Sequence, residues 1–172
     1  MSKKKTTIIV ISVFLVVAIA GGIKVWDTYF NKNHYTGQYI MRKTGFDKTE
    51  FRKFEIGGYK CDNYVRRSDV GGKYDDMYFY LFDSKEEAKE AFEYMRNHWF
   101  EEITAQDENS VEGKLAHVCD AIVFDYIELK NNLIITIDLY GVSAWGSVDQ
   151  FGNIDEAREE CDRSVIKLVN DF

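Results

Sequence analysis

The longest apolar run of the chain covers residues 6–23, which carry no charge and only three polar side chains, Thr6, Thr7 and Ser12. A helix of this length rises about 27 Å, close to the ~30 Å hydrocarbon core of a bilayer. A helix also satisfies its own backbone hydrogen bonds in lipid. The pattern therefore predicts a transmembrane helix, with residues 6–23 in contact with the lipid bilayer.

Helical spacing of apolar residues predicts three further helices. The first covers residues 48–56, with a capping box of Asp47 and Glu50 before it and a left-handed stop at residues 57–58. The second follows Ser84, which forms a capping box with Glu87, and the third follows Asn153. The apolar face of the second helix consists of Ala88, Ala91, Phe92, Met95, Trp99 and Ile103.

Alternating or continuous apolar runs predict four strands. Residues 77–82 are apolar on both faces, which indicates a central strand. The last two strands form a hairpin around residues 130–132. The predicted strands cover residues 59–67, 77–82, 121–129 and 133–140, and the predicted loops cover residues 68–76, 104–114 and 141–152.

The order α-β-β-α-β-β-α indicates an α+β domain of two layers, with an antiparallel sheet that carries its helices on one face. Residues 1–24 are then a membrane anchor, residues 25–43 a membrane-proximal stalk, and residues 44–172 the folded domain.

The interpretation of residues 1–24 as a membrane anchor has an alternative. A basic start, an apolar centre and the small residues Ala18 and Ala20 also fit a secretory signal peptide cleaved near Ala20. The apolar run continues through Ile23, which favours a retained anchor.

The flanking charges predict the orientation of the anchor. Three lysines at residues 3–5 precede the apolar run and Lys24 alone follows it, so the positive-inside rule keeps the N-terminus cytoplasmic. The domain is then extracytoplasmic on a single-pass protein of the cell membrane, or secreted if the segment is cleaved. The aromatic residues predicted at headgroup level are Trp26, Tyr29 and Phe30.

Composition narrows the choice of partners. Residues 25–172 contain 18 basic and 29 acidic side chains. So acidic a domain is repelled by phosphate backbones, which excludes nucleic acid as a partner. The chain is 45% hydrophobic, which excludes a disordered protein.

One part of the pattern of helices and strands resembles that of a known class of domains. It consists of Thr44, Phe51 and Gly58-Tyr59, followed by the aromatic strand 78–82, the helical segment 84–92 and the hairpin. In these features the chain resembles small membrane-anchored and lipoprotein-type domains of Gram-positive bacteria. The resemblance implies an extracytoplasmic location and an α+β fold, and it implies no activity. The long segment 141–152 and the missing lipobox cysteine depart from that pattern.

The cysteines and histidines form no metal motif. Cys61, Cys119 and Cys161 lie far apart without a C-x-x-C pair, and the three histidines lack metal-ligand spacing. Outside the cytoplasm a disulfide between Cys61 and Cys119 is the favoured pairing, because Cys161 falls on the apolar stripe of the last helix. Three unpaired thiols are favoured over this disulfide.

The sequence contains no complete catalytic motif and predicts no cofactor. It predicts a binding or accessory module, with Trp145 and Phe151 as contact residues for a protein or small molecule on the outer side. The alternative is a membrane-tethered hydrolase. It would use His117 and Cys119 as a catalytic pair, or a pair of carboxylates that the sequence does not reveal.

Overall fold

The computed structural model describes residues 3–44, 50–66, 77–115 and 121–143, together with Val169 and Phe172. These residues form both helices and strands, which confirms the predicted α+β class. The helices are α1 (Lys3–Phe30), α2 (Gly37–Thr44) and α3 (Lys85–His98). The strands are β1 (Glu50–Ile56), β2 (Tyr59–Arg66), β3 (Met77–Leu81), β4 (Phe100–Gln106), β5 (Ser110–Leu115), β6 (Ala121–Lys130) and β7 (Leu133–Ser143).

The strands form one antiparallel sheet with the order β1-β2-β3-β7-β6-β5-β4. Two meanders, β1–β3 and β4–β7, meet where β3 pairs with β7, and Phe79 lies opposite Ile135. Because every pair is antiparallel, the turns alternate between two ends of the sheet. The segment between α1 and α2, residues 31–36, is called the linker. We call the end of the sheet with the turns at residues 57–58, 107–109 and 131–132 the linker end, because the linker contacts the last of these turns. The opposite end, where β3 begins at Met77 and β7 ends at Ser143, is the distal end.

Both faces of the centre of the sheet are buried, because β3 and β7 carry apolar residues on both sides. One face packs against α3 and the other against α2 and the C-terminal residue. The prediction of helices on one face is therefore wrong: the sheet is the middle of three layers. The α3 face is centred on Tyr80, Phe82, Ala88, Phe92, Met95 and Ile134, and the α2 face on Tyr39, Ile40, Phe79, Leu133, Ile135 and Phe172.

The predicted helix over residues 48–56 is wrong, because β1 occupies most of this segment. Gly57 and Gly58 have φ angles of 62° and 92° and form the two-residue turn between β1 and β2. Two consecutive glycines with positive φ suit such a hairpin turn as well as they suit the end of a helix. Seven residue pairs, from Glu50 with Val65 to Ile56 with Tyr59, then stabilise the strand.

The predicted loop over residues 104–114 is also wrong, because β4 and β5 form a hairpin there. Strand β4 lies at the edge of the sheet and its side chains from Glu101 to Gln106 are exposed, so it lacks the apolar alternation of a buried strand. Asp107 closes the turn by accepting hydrogen bonds from the backbone N–H groups of Asn109 and Ser110, at 2.8 and 2.7 Å. Ile103 therefore belongs to β4 and not to the preceding helix.

Other predicted elements are confirmed. The Ser84 hydroxyl caps α3 by accepting a hydrogen bond from the Glu87 N–H at 3.1 Å. Strand β3 is central, and β6 and β7 form the predicted hairpin. In its second strand, Ile134 and Thr136 are buried on the side opposite Leu133 and Ile135, so β7 is covered on both sides. Of the last predicted helix, Val169 is helical and buried, and its start at Asn153 lies outside the described residues.

The segment predicted as a stalk, residues 25–43, contributes to the folded domain. Helix α1 continues to Phe30, α2 follows after a short linker, and three side chains of this segment are at most 3% exposed. They are Tyr35, Tyr39 and Ile40. A stalk was predicted because the segment mixes aromatic and polar residues, but two of its aromatic residues, Tyr35 and Tyr39, belong to the core on the α2 face of the sheet.

Helix α1 carries apolar side chains that are exposed. Its side chains are described from Leu15 onward, and Leu15, Val17 and Ile23 are 61–64% exposed. Within the described part of the chain, no helix combines the length and the hydropathy that identify a membrane-crossing segment.

Candidate membrane-proximal site

The end of α1 is capped by side chains from the segment that follows it. The last carbonyl groups of a helix have no partner within the helix. The Thr36 hydroxyl donates a hydrogen bond to the Thr28 carbonyl, and the Arg42 Nε donates one to the Tyr29 carbonyl at 3.0 Å. Thr36 also accepts a hydrogen bond from the Tyr39 N–H at 3.1 Å, as the N-cap of α2. One hydroxyl thus joins the end of α1 to the start of α2.

Aromatic stacking and a guanidinium group strengthen this junction. The rings of Trp26 and Phe30 stack at 5.5 Å between centroids. The Arg42 guanidinium lies 4.6 Å from the centre of the Phe30 ring and 5.4 Å from that of Tyr39. Such cation–π contacts are worth about 0.5–1 kcal/mol at exposed sites. The orientation of α1 relative to α2 is therefore held by side chains on both helices.

A single buried amide joins the linker to the sheet. Asn132 is 1% exposed and lies in the turn between β6 and β7. Its Oδ1 accepts a hydrogen bond from the Tyr35 N–H at 2.7 Å, and its Nδ2 donates to the carbonyl groups of Tyr35 at 3.1 Å and of Phe82 at 3.0 Å. The Phe82 N–H donates to the Asn132 carbonyl at 2.9 Å. The linker, β3 and β7 thus meet at one side chain.

The neighbouring Asn131 adds a second tether. It has a φ of 52°, a left-handed conformation that asparagine tolerates better than most residues. Its Nδ2 donates a hydrogen bond to the Lys32 carbonyl at 2.7 Å. The turn of one hairpin therefore fixes the linker at two positions.

Tyr35 secures the linker from its other side. Its hydroxyl donates a hydrogen bond to the Phe172 carbonyl at 2.7 Å, and its ring contacts those of Tyr39 and Phe172. Burial raises the pKa of this phenol to about 12, with the charge of Glu128 adding to the effect. The phenol therefore stays neutral, as a buried hydrogen-bond donor.

The four sequence-predicted contact and catalytic residues lie outside the described residues. Trp145 and Phe151 follow Ser143, and His117 and Cys119 lie between Leu115 and Ala121. The strand ends that border both segments are at the distal end of the sheet, opposite the linker. Their roles stay predictions.

Cys61 is buried on the α3 face of the sheet. Burial, and then the charge of Asp62, raises its pKa to about 12, so the thiol is unreactive near neutral pH. Cys61 lies near the linker end, whereas Ala121, the first described residue after Cys119, lies at the distal end of β6. The disulfide between Cys61 and Cys119 stays a prediction.

Two carboxylates that the sequence did not single out lie on the α2 face of β5 and β6. Glu112 lies opposite Tyr126, and Glu128 follows two residues later on the same face. The Glu128 carboxylate accepts a hydrogen bond from the Tyr126 hydroxyl and pairs with Lys130, both at 2.8 Å. Burial, and then the Glu128 charge, raises the Tyr126 pKa. With its charge balanced by Lys130, Glu128 has a structural role in this network.

Sequence reasoning missed the residues that define this site. Asn131 and Asn132 appeared only as turn residues, and Arg42 only as part of the stalk. The available signals were two consecutive asparagines in a short hairpin turn and a basic pair, Arg42-Lys43, beside an aromatic segment. Neither signal specifies that the hairpin turn contacts the linker or that Arg42 contacts the end of α1.

Comparison with known protein families, with curated proteins and with solved structures finds no match for the chain. Among the described residues, no group of three or more histidine, cysteine, aspartate or glutamate side chains is arranged to hold a metal ion.

Replacing Asn132 by alanine is expected to lower the free energy of unfolding by about 3 kcal/mol. The change removes three buried hydrogen bonds, and each group left without a partner costs about 1–3 kcal/mol. Chemical denaturation measures the difference. The matched control is Asn131→Gly, which tolerates the same φ and loses one half-exposed bond, so it should cost less than about 1 kcal/mol. Equal effects of both variants would contradict the role of Asn132.

The free energy of unfolding is expected to fall at alkaline pH, because the Tyr35 phenol loses its proton more readily in the unfolded chain than in the folded one. Its pKa is raised in the folded state, so the unfolded chain releases the proton first, near pH ~10. The contribution of the neutral Tyr35 phenol to the free energy of unfolding is therefore complete below about pH 10 and is lost as the pH rises toward about 12. Unfolding free energies measured across this range should fall less steeply in Tyr35→Phe. Tyr94→Phe, at a tyrosine 41% exposed, is the control and should keep the original slope. Parallel slopes for Tyr35→Phe and the original chain would contradict this prediction.

Proposed function

We propose that the chain is a single-pass membrane protein in which α1 anchors the domain and the domain acts outside the cytoplasm as a binding or accessory module. The observation that carries this proposal is the exposed apolar surface of α1. From Leu15 to Val25 the large apolar side chains that the structure describes are 53–65% exposed. Lipid would cover them at about 25 cal/mol for each Å² removed from water.

The capped junction supports an anchor that positions the domain. A flexible stalk would let the domain sample many heights and orientations above the membrane. The contacts of Thr36, Arg42 and Asn132 instead fix the linker to α1 on one side and to the sheet on the other. The linker end of the sheet would then face the bilayer, and the distal end would face away from it.

Trp145 and Phe151 are proposed as contact residues on this basis. They follow the end of β7 at the distal end, where a partner would approach without obstruction by the membrane. The acidic composition favours a partner with basic or neutral groups at the contact.

The test is the location of the full chain in cells that express it. We expect intact mass spectrometry to find the full-length chain in the membrane fraction, resistant to extraction at alkaline pH. Protease added to intact cells should remove the domain. A chain that begins at Gly21 in the medium, or a domain fully protected from protease, would contradict the proposal.

The contact residues are tested in the same cells by cross-linking. Replacing Trp145 and Phe151 together by serine should reduce the cross-linked partners and leave the membrane fraction unchanged. The control replaces Phe54, which is 38% exposed on β1, by serine. An unchanged set of partners in the double variant would contradict the assignment.

A further inference from the structure

Charge is divided sharply between the linker region and the rest of the domain. Residues 24–44 contain four basic side chains and one acidic side chain, whereas residues 45–172 contain 15 basic and 28 acidic side chains. We call the basic residues of this region, with two aromatic residues of α1, the collar. The collar consists of Lys24, Lys32, Arg42, Lys43, Trp26 and Phe30.

The collar lies at the height of the lipid headgroups if α1 is inserted. Phe30 comes seven residues after Ile23, a rise of about 10 Å beyond the apolar run. The headgroup layer of one leaflet is about 5–8 Å thick. The Arg42 guanidinium lies 4.6 Å from the centre of the Phe30 ring and therefore lies just beyond the outer limit of that layer. Trp26, closer to the apolar run and 64% exposed, lies within it.

Arg42 is held in a way that leaves its phosphate-binding groups available. Its Nε is bound to the Tyr29 carbonyl and its guanidinium carbon lies over the rings of Phe30 and Tyr39, so little side-chain freedom remains to be lost on binding. Among the described residues, neither of its terminal nitrogens has a hydrogen-bond partner. A guanidinium group presented in this way suits two parallel hydrogen bonds to one phosphate.

We propose that the collar binds the phosphate groups of anionic phospholipids in the bilayer that holds α1, with Arg42 as its principal ligand. The proposal rests on the proposed anchor. The acidic remainder of the domain is repelled by the same anionic surface. Attraction at the linker end and repulsion elsewhere together hold the domain above the membrane with its distal end outward.

The experiment uses the full chain in vesicles of phosphatidylcholine mixed with phosphatidylglycerol, in which one lipid at a time carries brominated acyl chains. Bromine quenches tryptophan fluorescence at short range. The chain carries Trp99→Phe and Trp145→Phe, which leave Trp26 as its single tryptophan, so quenching reports on Trp26. We expect brominated phosphatidylglycerol to quench more strongly than brominated phosphatidylcholine at equal mole fraction. This preference should weaken at high salt.

Arg42→Gln should lower the preference for phosphatidylglycerol by about fivefold or abolish it, since one basic residue near an anionic surface is worth about 1 kcal/mol. Arg52→Gln is the matched control, because Arg52 also lies over an aromatic ring, 5.7 Å from the centre of Phe54, but outside the collar. Arg42→Lys keeps the charge and should retain part of the preference. A preference unchanged in Arg42→Gln, or lost equally in Arg52→Gln, would overturn the proposal.

Two further outcomes separate the possible causes of failure. Equal quenching by both lipids in the original chain means that the anchor inserts and the collar does not select anionic lipid, which overturns this inference alone. No quenching by either lipid contradicts the anchor as well. Inorganic phosphate should compete no better than chloride at equal ionic strength. Specific competition by phosphate would show that the site takes the free ion, and would overturn the assignment to lipid.

Discussion

The architecture depends on the amide of Asn132. This side chain makes three hydrogen bonds in a fully buried position, two to the backbone of Tyr35 and one to that of Phe82. A buried polar group is costly unless all its hydrogen bonds are made, and here the partners come from segments about 50 and 97 residues away in sequence. The amide thus specifies one position of the linker on the sheet. Apolar packing of Tyr35 and Tyr39 alone would allow the linker to take several positions on the sheet.

This constraint determines how the helix and the domain relate to each other. Because the linker is tied to the β6–β7 turn, the end of α1 lies beside the linker end of the sheet. The capping of α1 by Thr36 and Arg42 then extends the connection into the helix itself. The two ends of the sheet acquire different roles: one lies beside the proposed anchor, and the other carries the strand ends that lead to the proposed contact residues.

The sequence predicts the elements whose own pattern decides them. Helix α3 has a capping residue and a regular apolar stripe, and β3 is apolar on both faces, so both were predicted correctly. Strand β1 and the β4–β5 hairpin were missed because their stability comes from backbone pairing with neighbours, and an exposed edge strand shows no apolar alternation. The layer arrangement was missed for a related reason. Buried residues on both faces of β7 require a cover on each side, and Tyr35 and Tyr39 provide one only after the linker has docked.

The site around Asn132 is less predictable, because its residues act through contacts distant in sequence. The most direct test of the fixed position of the linker on the sheet is hydrogen exchange of the Tyr35 amide in the full chain. We expect protection similar to that of the amides in β3 and β7, since the Tyr35 N–H is buried and bonded to Asn132. Exchange as fast as that of an unstructured peptide would mean that the linker is a flexible stalk. That result would contradict the fixed connection between helix and sheet.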